Sequence, residues 1–300
     1  MTRLRRSSLL ASLTTVAVLG LAACGGGDEA LESDSGDSGD SGGSGELVVG
    51  SANFPENALL AEIYAGALNA AGVEASTRLN IGSRETYLPG LEDGSIDLIP
   101  EYTGVLRDYY LAQDDSGAGA AEESSEAASD PAGVYEELLD VLPDGLVALE
   151  YAEAQDKDAV VVTAETAEEY DLAEIGDLAD VAGELTLGGP PEWKTRQTGI
   201  PGLEEVYGVT FADFIELDAG GPQTLNALLN GRIDAANLFT TDPNVEANEL
   251  VPLEDPESLF AAQNVVPLLR EDAVDDTVTG THDEASAALD TETLGALVTR

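Results

Sequence analysis

The chain has 300 residues, enough for two domains of ordinary size, with an apolar share of 43% that supports packed cores and aromatics at only 5%. Its 59 acidic residues against 12 basic ones give a formal charge of −47, which argues against a nucleic-acid partner, because phosphate binding needs clustered Lys and Arg. One cysteine and one histidine rule out an intrachain disulfide and argue against a His-based metal site or a Ser-His-Asp triad. No Asp-x-Asp-x-Asp-Gly loop of the calcium-binding type is present, and no cofactor or metal is expected.

Residues 1–24 read as an export signal. Arg3, Arg5 and Arg6 precede an apolar run, 9–21, that is too short to span a bilayer. It ends in Leu21-Ala22-Ala23-Cys24, which resembles the lipobox of bacterial lipoproteins: small residues before the cut, and a thiol for thioether attachment of diacylglycerol. Arg5-Arg6 leaves general secretion and twin-arginine export both open. Residues 25–45, rich in Gly, Ser and Asp, cannot bury apolar surface and read as a flexible tether. The expected localisation is the extracytoplasmic face of a cell membrane, held by lipid.

The folded body begins with a strand over 46–51. Pro55 suits the first turn of a helix, 56–71, whose apolar residues recur at helical spacing and whose end Gly72 can cap. A strand over 73–79, a helix over 84–92 and a strand over 96–99 follow. This βαβαβ rhythm implies a parallel sheet flanked by helices, with ligands beyond the carboxyl ends of the strands. Residues 113–130 read as a surface insertion without fixed structure. A helix over 134–142 and strands over 146–149 and 159–163 come next, with 151–158 crossing between two lobes. Two short helices fall within 166–178, a strand over 185–188, and one helix over 192–207. Segments 222–229 and 233–238 complete a second lobe. Strand 264–269 returns the chain to the first lobe, and helices end it.

The stretch LEDGSIDLIPEYTG, residues 91–104, is echoed by LNGRIDAANLFTTD, residues 229–242. Gly94 pairs with Gly231, Ile96 with Ile233, Asp97 with Asp234, and Tyr102 with Phe239, at one constant offset. Gly72-Val73 is echoed by Gly208-Val209. A repeat this long implies two similar α/β halves, each offering a strand end and an aromatic to a shared cleft. The expected lobes are 46–157 plus 264–300, and 158–263.

An ordered set of motifs adds a resemblance. It comprises Asn53-Phe54-Pro55-Glu56, Gly94-x-Ile96-Asp97, Pro100-Glu101-Tyr102-Thr103-Gly104, Glu192-Trp193-x-x-Arg196, Thr241-Asp242 and Val266-Pro267. Over roughly residues 46–270 the chain resembles the substrate-binding lipoproteins of bacterial osmoprotectant ABC importers, of the glycine betaine, choline and carnitine type. The resemblance implies a two-lobed α/β venus-flytrap of the type II periplasmic-binding-protein fold, each lobe a mainly parallel sheet flanked by helices. It implies a monomer, no enzyme activity, and delivery of a small solute to membrane permease subunits. A quaternary ammonium group would sit against aromatic rings, attracted by their quadrupoles. Any carboxylate would meet a basic residue and helix-start N–H groups.

Carried over residue by residue, the resemblance makes Tyr102 and Phe239 aromatic ligand contacts and Arg196 the carboxylate-binding residue. Asp158 and Gln263 stand where further aromatics are usual, Ala52 where Lys is common, and Val105 where Thr is common. Asn53 joins the candidates at the first strand's end. Each has a plainer alternative. Tyr102 has a loop position, Phe239 core packing, Arg196 a salt bridge, Asn53 a cap on the helix at Pro55, and Asp158 hinge surface. Trp193 reads as packing under the Arg196 helix, and Glu101 and Asp97 as structural turn acids. A different trimethylammonium or amino-acid-like solute such as ergothioneine, or a sensing module not coupled to import, remains open.

Overall fold

A computed structural model of the chain describes residues 45–113 and 129–299. The signal, Cys24, the tether up to residue 44 and most of the 113–130 insertion lie outside the described residues.

The first part of the chain forms β1 (Leu47–Ala52), α1 (Pro55–Ala71), β2 (Ala75–Gly82), α2 (Arg84–Glu92), β3 (Leu98–Tyr102), α3 (Thr103–Leu111), α4 (Pro131–Val141) and β4 (Leu146–Ala148). The middle forms β5 (Asp158–Thr163), α5 (Ala164–Tyr170), β6 (Thr186–Gly189), α6 (Ile200–Tyr207), β7 (Asp213–Glu216), α7 (Pro222–Leu229), β8 (Ala235–Phe239), α8 (Pro243–Ala247) and β9 (Leu250–Pro252). The last part forms β10 (Val265–Arg270), α9 (Asp276–Ala287) and α10 (Thr291–Val298).

These strands make two five-stranded sheets of matching topology, β2-β1-β3-β10-β4 and β7-β6-β8-β5-β9. In each sheet four strands share one direction and one runs against them: β10 in the first, β5 in the second. The reversed strand is the first one the chain forms after arriving from the other sheet. The two crossings run side by side. Ala152 N–H donates to Val265 O (2.8 Å), Val265 N–H to Ala154 O (3.0 Å), and Asp156 N–H to Gln263 O (3.1 Å).

The echo is a repeated piece of packing. Gly94 and Gly231 both take left-handed φ, +77° and +63°, which glycine adopts without steric cost. The chain then turns so that Ile96 and Ile233 lie under strand glycines: a Cβ on Gly50 would come within 2.7 Å of Ile96, and one on Gly188 within 2.4 Å of Ile233. Asp97 exchanges bonds with Val48, its N–H donating to Val48 O and its Oδ2 accepting from Val48 N, both at 2.8 Å. Asp234 does the same with Thr186, at 2.9 and 2.8 Å. Each Gly-x-Ile-Asp thus fixes where the following strand enters its sheet, and so where Tyr102 and Phe239 emerge.

Several boundaries differ from expectation. Ile96 is a plug below the sheet, and β3 starts two residues later, at Leu98. The helix expected over 192–207 is broken into a 3-10 turn, Pro191–Lys194, and α6. Between them the chain folds tightly over Trp193, whose carbonyl oxygen a Cβ on Gly199 would approach to 2.2 Å. The cap position before α1 is Phe54, without a side-chain bond, so Asn53 is not a helix cap. α3, β7, α8 and β9 were not foreseen.

Candidate functional site

The carboxyl ends of β1, β3, β6 and β8 open on one cavity of about 60 Å³ between the sheets. It is small because side chains from both lobes meet across it. Asn53 and Phe54 follow β1, Tyr102 ends β3, and Phe239 ends β8. Asp158 opens β5, Arg196 follows the 3-10 turn, and Gln263 sits on the returning crossing. All of them border this cavity, so the six residues singled out in the sequence come together.

Three rings form its apolar wall. Phe54 packs against Phe239 from the other lobe, centroids 5.0 Å apart and 31° between planes, and against Tyr102 at 6.1 Å and 32°. Gly220 shapes this wall: its φ is +57°, and a Cβ there would stand 2.4 Å from the Phe239 ring. Tyr102 is buried and donates its hydroxyl to Glu56 Oε1 at 2.8 Å. Burial, followed by the charge of Glu56, raises its phenol well above the ordinary range. Tyr87 adds a fourth aromatic at the edge. Trp193 borders the cavity, but its ring lies in the second lobe's core, stacked on Phe260 at 6.0 Å.

The two arginines at the cavity are both held by carboxylates. Arg84, at the start of α2, meets buried Glu101 bidentately, Nε to Oε1 and Nη2 to Oε2, each 2.7 Å. Glu101 also accepts from the Tyr87 hydroxyl (2.5 Å) and from Tyr102 N–H (2.9 Å). The acid of the Pro-Glu-Tyr-Thr-Gly element is therefore structural, as expected, but it is a buried strand residue. Arg196 reaches across the cleft to Glu85 on α2, with Nε and Nη2 at 3.1 Å from Oε1 and Nη2 at 3.0 Å from Oε2. Ser83 donates to the same carboxylate at 2.6 Å. Partial burial would raise the Glu85 carboxyl, but the bonds from Arg196 and Ser83 outweigh it and bring it down to about 2.

Carboxylates also line the cavity. Asp158 accepts from Asn237 Nδ2 at 2.8 Å, and desolvation raises its carboxyl. Asp156 accepts from Thr241 N–H (3.1 Å) and Oγ1 (2.8 Å). Thr241 Oγ1 also lies 2.5 Å from Glu56 Oε2, joining the second lobe to the start of α1. Among the described residues the buried Asn237 Oδ1 has no hydrogen-bond partner, and the buried Gln263 Nε2 faces the Asp158 carboxylate without a well-formed bond. No group of His, Cys, Asp and Glu among the described residues is arranged to hold a metal.

Residues 45–300 match the family described as the substrate binding domain of ABC-type glycine betaine transport systems. The chain belongs to this family. Among its relatives is the glycine betaine-binding protein YehZ of Escherichia coli, 26% identical over 233 residues that cover 74% of this chain and 73% of that protein. The structure of apo YehZ superposes with a TM-score of 0.54 over 84% of this chain and 91% of that one. The carnitine transport binding protein OpuCC of Listeria monocytogenes is 29% identical over 101 residues, 33% of this chain and 32% of the relative. In fold, the chain is similar to a glycine betaine/carnitine/choline ABC transporter structure, with a TM-score of 0.59 at 18% identity, over 83% of this chain and 90% of that one. The family is one of extracytoplasmic solute-binding proteins, and the two-lobed mixed α/β architecture is the fold of these neighbours.

Sequence reasoning missed Phe54, Tyr87, Glu85 and Asn237. Phe54 carried a signal, since it sits inside the Asn-Phe-Pro-Glu motif at a strand's carboxyl end. Asn237 lies inside the second echo. Glu85 and Tyr87 carried none, because Glu85 gains its partner only when the second lobe brings Arg196, and Tyr87 only when β3 brings Glu101.

Proposed function

We propose that this protein captures a small quaternary-ammonium solute and delivers it to the permease of an ABC importer. The observation that carries this reading is the gathering of Phe54, Tyr102 and Phe239 from two lobes at one cavity that carboxylates also border. Aromatic faces attract a cation that offers no hydrogen bond, by about 1–2 kcal/mol each when desolvated. The paired crossings act as the hinge. The lobes part, the ammonium group enters between the rings, and closure shields it from water. The closed pair of lobes is then the shape the permease recognises. Cys24 carries the lipid that keeps a monomeric binder at the extracytoplasmic surface, and residues 25–45 give it reach. No described helix is long and apolar enough to cross a membrane.

Calorimetric titration with glycine betaine, choline, carnitine, proline betaine and ergothioneine tests the reading. At least one should bind, and Phe239→Ala should weaken that binding by roughly five- to thirtyfold, in line with loss of one desolvated ring contact. Heat from an unrelated sugar or amino acid, with none from these five, sinks the proposal.

A further inference from the structure

The charge arrangement at the cavity points to the class of solute, on the premise that the site takes a quaternary ammonium compound. A carboxylated solute needs a cation with a free hydrogen-bonding face, since a carboxylate moved from water into a cleft is stable only when paired. Two arginines border the cavity, and each has its bidentate face occupied from within the chain. Arg84 is locked on Glu101 in the first lobe's core. Arg196 is clasped by Glu85 from the opposite lobe. The remaining ionisable side chains at the wall, Asp156, Asp158 and Glu192, are acids. A solute carboxylate entering here meets arginines already paired and no other cation, whereas a net cation needs neither arginine.

The polar atoms point the same way. Asn237 gives its amide N–H to Asp158, which fixes Oδ1 as an acceptor, and that Oδ1 is buried without a partner among the described residues. Gln263 Nε2 is a buried donor that faces the Asp158 carboxylate without a well-formed bond to it, and its amide has two hydrogens to give. A carboxylate has no hydrogen to give Asn237. A hydroxyl can donate to one of these atoms and accept from the other.

We propose that Glu85 is the residue that sets solute class: by taking the Arg196 guanidinium across the cleft it makes the site select a hydroxyl-bearing quaternary ammonium cation over a carboxylated betaine. Glu85 thus stands in for the carboxylate that a betaine would bring. It also contributes to closing the lobes, an effect common to every solute, so the informative quantity is a ratio of affinities.

The test is calorimetric titration of the wild type, Glu85→Gln and the double variant Glu85→Gln/Arg196→Gln with choline and with glycine betaine, which share a trimethylammonium head. Glu85 is exposed on the first turn of α2, so its replacement leaves the core intact. The wild type should bind choline at least tenfold tighter than glycine betaine. Glu85→Gln should move the ratio at least tenfold toward glycine betaine, and the double variant should return it. A wild type that prefers glycine betaine, or a ratio that Glu85→Gln leaves in place, overturns the role of Glu85 while the quaternary-ammonium reading stands. Absence of binding by both compounds in all three proteins overturns this proposal, and the quaternary-ammonium reading falls with it if carnitine, proline betaine and ergothioneine also fail to bind.

Discussion

Glu101→Ala is expected to destabilise the protein by about 3–5 kcal/mol, because it strands a guanidinium in the first lobe's core. Arg84 and Glu101 are both buried and meet through two 2.7 Å bonds. Burial by itself would lower the Arg84 pKa, but the Glu101 charge more than offsets this and the guanidinium is held above its ordinary value. With the carboxylate gone, Tyr87 and Tyr102 N–H also lose their acceptor. Removing both charges together is a milder change, since a buried ion pair carries a desolvation cost of its own. Arg84→Met/Glu101→Leu should therefore recover most of the loss. Denaturant melts of the three proteins measure this; a loss below about 1 kcal/mol for Glu101→Ala would mean that the pair is not buried as described.

The second large effect is a pH dependence centred on Asp156. A hydroxyl has one hydrogen to donate, yet Thr241 Oγ1 lies within bonding distance of both Asp156 and Glu56. A proton on one of the two carboxyls satisfies both contacts, the protonated group donating to Thr241 Oγ1 and Thr241 donating to the other. Burial, and then the charge of Glu56, raises Asp156 well above its ordinary value of 3.8. Burial also raises Glu56, against the opposing bonds from Thr241 and Tyr102. A carboxyl raised in the folded state binds more protons there than in the unfolded chain. Its contribution is therefore complete below the ordinary value and is lost as pH climbs toward the raised one. Asp156→Asn keeps the acceptor for Thr241 and needs no proton. We expect the variant and the wild type to be similarly stable near pH 4. At pH 8 the variant should be the more stable by roughly 1–3 kcal/mol, the range for relieving a desolvated polar group. The comparison matters more than the wild-type curve, because 59 acidic residues repel one another increasingly as pH rises. Parallel curves for the two proteins would show that Asp156 is ionised throughout.

Much of this architecture could be read from residues alone, and the echo explains why. Gly-x-Ile-Asp needs a left-handed glycine, a buried plug and a carboxylate bonded to the neighbouring strand. That combination leaves a signature which a single strand or helix does not. It located both sheets and brought Tyr102 and Phe239 to the same cleft. Helices with strong ends, such as α2 and α7, were bounded as found. The equally short β4 and β6 were foreseen, but β9, which ends in Pro252, and β7, whose two apolar residues lie between Asp213 and Glu216, escaped. The helix expected over 192–207 failed for a tertiary reason. Gly199 and Gly202 let the chain pass within contact of backbone at Trp193 and Gln197, and that packing overrides helical spacing. The partners of Arg196 and Arg84 were illegible because they depend on which acidic residue folding brings near, and the sequence offers many.

A crystal structure of the protein with bound choline would locate the ammonium group. The trimethylammonium nitrogen is expected within about 6 Å of the Phe54, Tyr102 and Phe239 ring centroids, the range over which a cation feels an aromatic face. The choline hydroxyl is expected between Asn237 and Gln263, with Arg196 still on Glu85. Choline bound outside this cleft, or rings that stay closed on one another while ligand sits elsewhere, would contradict this placement.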